Sequence, residues 1–314
     1  MMLSNFLISL QAVAPMFIIM FIGAFIKRAG LITTEETKKF NRIVFITCFG
    51  PLMFDTLYGK ELGDAVDMRL IIFTAATVLV MYALTVIFVL KIEKSQKTRG
   101  AMIQAIYRSN FVIMGIPVVQ NVFGRGEIAV TAVMVTLIVP LYNVLAVITL
   151  EVFRGGKVSL KDTLKNLIKN PIIDGAICGI IAILINLKLP VAIETPISML
   201  AEAASPLALL LLGASFDFRT VGKEKRNLII CLVGRLIVFP AVGLIFGALL
   251  GFTGVKLLTL VAIFASPSAV TSFTMAQQMD SDYELAGNCV IFSSAISCFT
   301  MFLWIFALKS MGLF

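Results

Sequence analysis

Long apolar runs recur along the whole chain and constrain its fold more than any other feature of the sequence. Each run is about 20 residues long, the length that an α-helix needs to cross the hydrocarbon core of a bilayer. The chain is 59% apolar and 14% charged, with a mean hydropathy of +1.01. A soluble domain of this size would need far more charge on its surface. The sequence therefore predicts an all-α integral membrane protein that crosses the bilayer many times.

We predict ten membrane spans from the positions of these runs. Their approximate bounds are 6–26, 39–58, 70–90, 101–123, 127–152, 171–187, 195–216, 227–250, 255–278 and 285–308. No Lys or Arg precedes the first run, whereas a cleaved signal peptide begins with a basic region. We therefore expect the first run to be a span and not a leader.

The positive charges alternate between the predicted loops. Four alternate loops hold 18 of the 26 Lys and Arg residues, and the loops on the other side hold 6. The positive-inside rule places the richer set in the cytoplasm. Both termini are then extracytoplasmic, and the protein is expected in the plasma (inner) membrane. The net charge of +8 is thus a topology signal, and no nucleic-acid partner is expected.

Two of the ten spans contain helix-breaking residues in their middles. Span four contains the segment Ser109–Pro117, and span nine contains Ala265–Phe273. A proline frees the carbonyl four residues before it, which for Pro267 belongs to Ile263. Such breaks survive in hydrocarbon only where they line a cavity or are covered by protein. A matched pair of interrupted spans, one in each half of the chain, is typical of a transporter binding site.

Matching residues suggest that the two halves are repeats. Pro15 matches Pro171 at an offset of 156, and Pro51 matches Pro206 at an offset of 155. Each half would hold five spans, an odd number, so the second half enters the membrane from the opposite side. We therefore predict two inverted five-helix repeats, with spans four and nine crossing near the bilayer midplane.

The predicted repeats divide the chain into three parts. The first repeat covers residues 1–152, a cytoplasmic connection covers 153–170, and the second repeat covers 171–314. Half-helix ends at the crossing would direct partial charges and freed carbonyls at a common site. We expect the substrate there to contact Asn110, Gly115, Pro117, Pro267, Ser268, Ser272 and Arg235. The alternative for the serines is that they bond their own helix backbone and only bend it.

Ionisable residues inside spans are further candidates for function. The planar guanidinium of Arg235 suits a substrate carboxylate, although this arginine could instead pair with Glu202 and fasten two helices. Arg108 either extends to the interface or guides anions toward Asn110. Asp55 is either an ion-coupling residue or a solvated vestibule residue near the outer end of span two.

The sequence indicates neither an enzyme nor a metal protein. Histidine is absent, and the five cysteines all fall inside apolar runs without a paired spacing. No resident cofactor is therefore expected. The segment Pro140–Asn143 in span five has no acidic residue, which argues against cation exchange. We place Asp280, Asp282 and Glu284 in an exposed outer loop.

Four motifs in order resemble the auxin efflux carrier family, which includes the plant PIN-formed carriers and bacterial malate and malonate carriers. Asn110 with Gly115-Ile116-Pro117 resembles the fourth-helix motif of that family. The run Pro206–Ser215 resembles its seventh helix, Arg235–Pro240 its eighth, and Ala265–Ala269 the start of its ninth. The similarity covers nearly the whole chain.

The resemblance implies a scaffold bundle and a transport bundle, each drawn from both repeats, as in bile-acid symporters and sodium/proton antiporters. It also implies elevator-like movement of small organic anions such as mono- or dicarboxylates. The chain lacks the long cytoplasmic loop of the plant carriers. It also has Ser272 in place of their crossover proline, and Gln277 and Gln278 in place of their Lys-Glu pair.

Coupling and assembly stay open at this point. Residues that could couple transport to protons or sodium are Gln277, Gln278, Asp55 and Glu202. The alternatives to an anion carrier are a sodium-coupled symporter that uses Gln277 as a cation ligand, and a channel or sensor of the same fold. The expected partners are a small organic anion and the lipid bilayer, and a homodimer is one candidate assembly.

Overall fold

The computed structural model describes residues 2–58, 66–111, 118–120, 122–123, 129–154, 166, 168–216, 222 and 224–313. In this part of the chain the regular secondary structure is helical. The helices are α1 (Met2–Arg28), α2 (Thr34–Leu57), α3 (Met68–Ile92), α4 (Gln96–Tyr107), α5 (Ala129–Val152), α6 (Pro171–Leu184), α7 (Val191–Ser215), α8 (Lys225–Leu249), α9 (Gly254–Ala265), α10 (Thr271–Gln278) and α11 (Tyr283–Ser310).

Five of the described helices are long and apolar enough to cross a bilayer, namely α3, α5, α7, α8 and α11. Two shorter helices, α6 and α9, are also apolar. Large apolar side chains such as Phe21, Leu184 and Leu249 lie exposed on the outside of the molecule, where lipid would cover them. These helices form an integral, multi-pass membrane protein.

Helix α2 packs against α6 and α7, and α7 also packs against α1; small residues stand at these contacts. A Cβ atom at Gly23 would lie 1.9 Å from the carbonyl oxygen of Leu210, and one at Gly213 would lie 1.9 Å from that of Met20. A Cβ atom at Gly175 would lie 2.2 Å from the carbonyl oxygen of Gly50. Glycine at these contacts lets the backbones approach, as it does in other membrane helix pairs.

Helix α8 contacts the two short helices α4 and α9, and it contains one π-helical turn at Gly234–Val238. A Cβ atom at Gly234 would lie 3.1 Å from the side chain of Ile106 in α4. A Cβ atom at Gly243 would lie 2.3 Å from the ring of Phe264 in α9. The two glycines therefore bring α8 against the ends of both helices.

The acidic segment after α10 lies on the Lys- and Arg-rich side, so its predicted place in an outer loop is wrong. Lys97 Nζ lies 2.6 Å from Asp280 Oδ1, and the hydroxyl of Thr98 donates to Asp282 at 3.1 Å. Ser281 Oγ also donates to the carbonyl of Lys97 at 2.7 Å. These bonds join the start of α4 to the end of α10. The predicted topology has one crossing, span nine, between this loop and the predicted outer loop before α9, so an outer position for this loop is inconsistent with that topology.

Candidate functional site

The two interrupted segments meet in the interior of the molecule. Helix α4 ends at Tyr107 and α9 ends at Ala265, and the chain is not helical just after either end. Ser109 and Ser268 form an antiparallel bridge. The two breaks therefore lie side by side in the structure.

Two backbone hydrogen bonds hold the crossing together. Asn110 N–H donates to the carbonyl of Pro267 at 2.9 Å, and Ala269 N–H donates to the carbonyl of Arg108 at 3.3 Å. Each extended segment thus satisfies backbone groups of the other, so these groups are not left unpaired in the interior of the protein.

Arg235 from α8 binds the carbonyl ends of both helices. Its Nη1 donates to the carbonyls of Ile106 and Tyr107 at 3.4 and 3.0 Å, at the end of α4. The remaining donors serve the end of α9, with carbonyl acceptors in Ile263, Phe264 and Ser266 at 3.1, 2.7 and 2.8 Å. A guanidinium has five N–H donors, and all five are used here.

The environment of Arg235 differs from both expectations for this residue. The predicted partner Glu202 is exposed and is not among the residues that Arg235 contacts. The carbonyl of Ile263, which the proline rule predicts to be free, accepts from Arg235 instead. Arg235 is fully buried, so in this conformation it caps two helix ends and has no donor left for a carboxylate.

Arg108 lies at the same crossing and has a different set of partners. Its Nη2 donates to Asn143 Oδ1 and, at 2.7 Å, to Thr271 Oγ1. Its Nη1 donates to Gln104 Oε1 at 3.1 Å and to Ser272 Oγ at 3.4 Å. Thr271 and Ser272 begin α10, so the arginine faces the N-terminus of that helix.

Arg108 is 3% exposed and is not paired with a carboxylate among the described residues, whose ion pairs all lie elsewhere. Of the two alternatives for this side chain, extension to the membrane interface is therefore wrong. The physical reason is that neutral polar side chains of α5 and α10 hold the guanidinium inside. A buried charge without a counter-ion is costly, so this position favours an anion.

Buried donors without partners lie beside Arg108. Gln104 Nε2, Ser109 Oγ and Asn110 Nδ2 make no hydrogen bond within the described residues. All three side chains are more than nine-tenths buried. An amide nitrogen can only donate, so Gln104 and Asn110 each hold a spare N–H in a region that already has excess positive charge.

The other predicted substrate ligands fall into two groups. Gly115 and Pro117 lie outside the described residues. Ser268 Oγ donates to the carbonyl of Ala105 at 2.7 Å, so this hydroxyl supports the end of α4. Ser272 accepts from Arg108, and the carbonyl of Pro267 accepts from Asn110. The structure thus brings Asn110, Pro267, Ser268, Ser272 and Arg235 to one crossing, together with Arg108.

The predicted coupling residues are spread over the molecule. Gln277 Oε1 accepts from Asn41 Nδ2 at 2.7 Å, and Gln278 is half-buried at the end of α10. Asp55 accepts from Ser198 Oγ at 2.5 Å, between α2 and α7. Glu202 is exposed on α7. Gln277 and Gln278 lie on a helix of the crossing. Of these two, Gln277 bonds a buried polar side chain, that of Asn41.

A cavity of about 320 Å³ lies on the Lys- and Arg-rich side of the molecule. Its lining includes Phe273 and Gln277 of α10, and residues of α1, α2, α7 and α11 complete it. Lys27 and Lys38 add positive charge to the wall. The first turn of α10 contacts Arg108 and a later turn lines this cavity, so the cavity lies along the helix that leads to the crossing.

Sequence reasoning did not select Asn41, Gln104 or Asn143 as site residues. All three are amides inside helices, and an amide in a span carries a weak signal because it can bond the backbone of a neighbour. For Gln104 a signal was available in the sequence. It lies four positions before Arg108, and residues at i and i+4 share one helix face, so the two side chains could be expected to meet.

Comparisons with known proteins identify a family of transporters. A family described as membrane transport protein matches residues 8–305. An uncharacterized transporter of Methanothermobacter thermautotrophicus is 25% identical over 301 residues, which cover 95% of this chain and 98% of the relative. An uncharacterized transporter of Methanocaldococcus jannaschii is 24% identical over 311 residues, with the same coverage of 95% and 98%. The chain therefore belongs to the membrane transport protein family, the auxin efflux carrier family of transporters.

Proposed function

We propose that this transporter is a carrier of small organic anions such as mono- or dicarboxylates. The observation that carries the proposal is Arg108, a buried guanidinium that neutral groups surround at the helix crossing. Leaving one charge buried without a partner typically costs several kcal/mol. A bound carboxylate would offset this cost. The terminal N–H groups of Arg108 already have neutral acceptors, so the carboxylate would replace weak ones such as Ser272 Oγ at 3.4 Å and form stronger charge-assisted bonds.

The spare donors define how the anion would be held. Asn110 Nδ2 and Gln104 Nε2 are buried without acceptors in the described part of the chain, and they flank Arg108 in sequence. Ser272 and Thr271 place the positive end of the α10 helix dipole on the opposite side. The anion therefore binds between the end of α4 and the start of α10, with its carboxylate toward Arg108.

The transport step is alternating access by movement of one bundle against another. Helices α1, α2, α6 and α7 pack together, and they correspond to spans one, two, six and seven of the predicted scaffold. The helices of the crossing belong to the moving bundle. We propose the ten-span inverted repeat, with extracytoplasmic termini, as the topology of this carrier in the plasma (inner) membrane.

A second candidate function is sodium-coupled transport, which one observation supports. Asn41 Oδ1 and Thr274 Oγ1 are buried oxygens without hydrogen-bond partners in the described structure, and Asn41 also contacts Gln277. Amide and hydroxyl oxygens are suitable ligands for a hard cation. Uptake that is unchanged when sodium is replaced by potassium would exclude this alternative.

The test of the main proposal is uptake into proteoliposomes of two radiolabelled probes, the monocarboxylate pyruvate and the dicarboxylate malonate. We expect saturable uptake and counterflow of at least one probe by the wild-type protein. Replacing Arg108 by Met should lower that uptake at least 100-fold, because the cation that binds the carboxylate is lost. The control is Arg69→Met, which removes the same charge and side chain at an exposed position outside the crossing, where Arg69 donates to the carbonyl of Leu250.

Two results would contradict the proposal. One is an Arg108→Met protein that is folded and transports both probes as the wild type does. The other is a flux of either probe that does not saturate with concentration and shows no counterflow, which is the behaviour of a channel.

A further inference from the structure

The π-helical turn Gly234–Val238 connects Arg235 to the lone tryptophan of the chain. Pro240 has no N–H, so the carbonyl four residues before it, that of Leu236, loses its helical donor. Trp304 Nε1 donates to this carbonyl at 3.1 Å. A side chain of α11 thus supplies a donor for a carbonyl that Pro240 cannot serve.

The same turn fixes Arg235 at the crossing. Single π-helical turns often mark functional positions because they alter the direction of a side chain within a helix. Here the guanidinium carbon of Arg235 lies 4.9 Å from the centre of the Phe239 ring, and Gly234 approaches Ile106 closely. The arginine is therefore confined by its own helix on one side and by the end of α4 on the other.

The acceptors of Arg235 are all partial negative charges at helix C-termini. The end of a helix carries the equivalent of about half an elementary negative charge. The ends of α4 and α9 both meet at this arginine, through carbonyls such as those of Tyr107 and Phe264. Arg108 directly follows Tyr107, so without a cation these two ends would repel an anion at Arg108.

We propose that Arg235, held in place by the bond between Leu236 and Trp304, is a positioning residue for anion binding. Its charge offsets the partial negative charge of the carbonyl ends of α4 and α9, and its hydrogen bonds stabilise the points at which the two helices end. It does not touch the anion. The transport consequence rests on the proposed function, whereas the link between Arg235 and Trp304 does not.

The first experiment compares the half-saturation concentration for uptake of radiolabelled pyruvate and malonate in four variants. We expect Trp304→Phe to raise it about threefold, Arg235→Lys about tenfold, and Arg235→Met more than thirtyfold, while Arg69→Met leaves it unchanged. Lys keeps the charge but offers three donors in place of five, so partial rescue distinguishes charge from geometry. Wild-type half-saturation in both Trp304→Phe and Arg235→Lys would overturn the proposal, even if Arg235→Met does not fold.

The second experiment needs no substrate. The tryptophan fluorescence of this protein comes from Trp304 alone. We expect the emission maximum of Trp304 in Arg235→Lys to shift to longer wavelength by several nanometres, because a relaxed turn weakens the bond to Leu236. The Arg69→Met protein should keep the wild-type spectrum. Identical spectra in wild type and Arg235→Lys would overturn the link between the two residues, whether or not either probe is transported.

Discussion

Two regions of the crossing each hold a buried arginine, Arg108 in one and Arg235 in the other. The two arginines have opposite kinds of hydrogen-bond partners. Both guanidinium groups are buried, and neither meets a carboxylate among the described residues. The five donors of Arg235 all have backbone carbonyl acceptors, whereas Arg108 contacts neutral side chains that lie beside unused donors. The difference teaches that the acceptors around a buried arginine, and not its depth, indicate whether it supports the fold or awaits a ligand.

The largest expected effect is a difference in stability between two identical substitutions. Arg235→Met leaves five carbonyls without donors, and breaking such a buried charged network typically costs about 3–5 kcal/mol. Arg108→Met removes an unpaired buried charge, so the stability should stay the same or rise by about 1 kcal/mol. Thermal unfolding in detergent, followed by Trp304 emission, measures both. Equal destabilisation by the two substitutions would remove the distinction between the regions.

The next prediction concerns Asn110, whose side-chain nitrogen is one of the spare donors. Asn110→Ala should reduce carboxylate uptake at least tenfold, because the bound anion loses a hydrogen bond in a water-poor site. The amount of folded protein should not change, since the backbone N–H of Asn110 still bonds Pro267. Uptake at unchanged affinity would show that this amide does not contact the substrate.

Two serines of the crossing should also differ in effect, one acting on stability and the other on the affinity for substrate. Ser268→Ala removes the hydroxyl that serves the Ala105 carbonyl, so it should lower stability by about 1 kcal/mol and leave the affinity for substrate intact. Ser272→Ala removes an acceptor of Arg108 and should change the half-saturation concentration a fewfold. Unfolding midpoints and uptake curves of the two proteins, compared side by side, check this; reversed effects would refute it.

The smallest expected effect lies outside the crossing, at the ion pair between exposed Lys256 and half-buried Asp67, 2.6 Å apart. The hydrogen bond from Lys256, followed by the backbone N–H of Leu70, lowers the pKa of Asp67 below its usual value. A lowered folded-state pKa contributes stability that is present above the unfolded pKa near 4 and is lost as the pH falls. Asp67→Asn should therefore destabilise by at most about 1 kcal/mol at pH 7.

Unfolding midpoints of wild type and Asp67→Asn at pH 7 and pH 3.5 test this expectation. The gap between the two proteins should narrow at the lower pH. Asparagine also caps helices well, so the start of α3 should stay intact in the variant. A gap that widens at low pH would show that Asp67 acts through something other than its charge.

The sequence by itself determined that this chain is a helical membrane transporter with two broken helices. Apolar length and the scarcity of charge leave no soluble alternative, and the residues around Pro267 cannot continue a helix. The sequence also selected Asn110 and Ser272 as site residues. These features are local, since they depend on residue type and on spacings of a few positions.

Only the tertiary structure decided what each charged group contacts. The partners of Arg108 in α10 lie 163 and 164 residues away along the chain, and Arg235 reaches back 128 residues to Tyr107. The contact between Asp280 and Lys97 is likewise long-range, at a separation of 183 residues along the chain. Hydrogen bonds in a low-dielectric interior depend on geometry to a fraction of an ångström, and that geometry is set by the packing of helices from both halves of the chain.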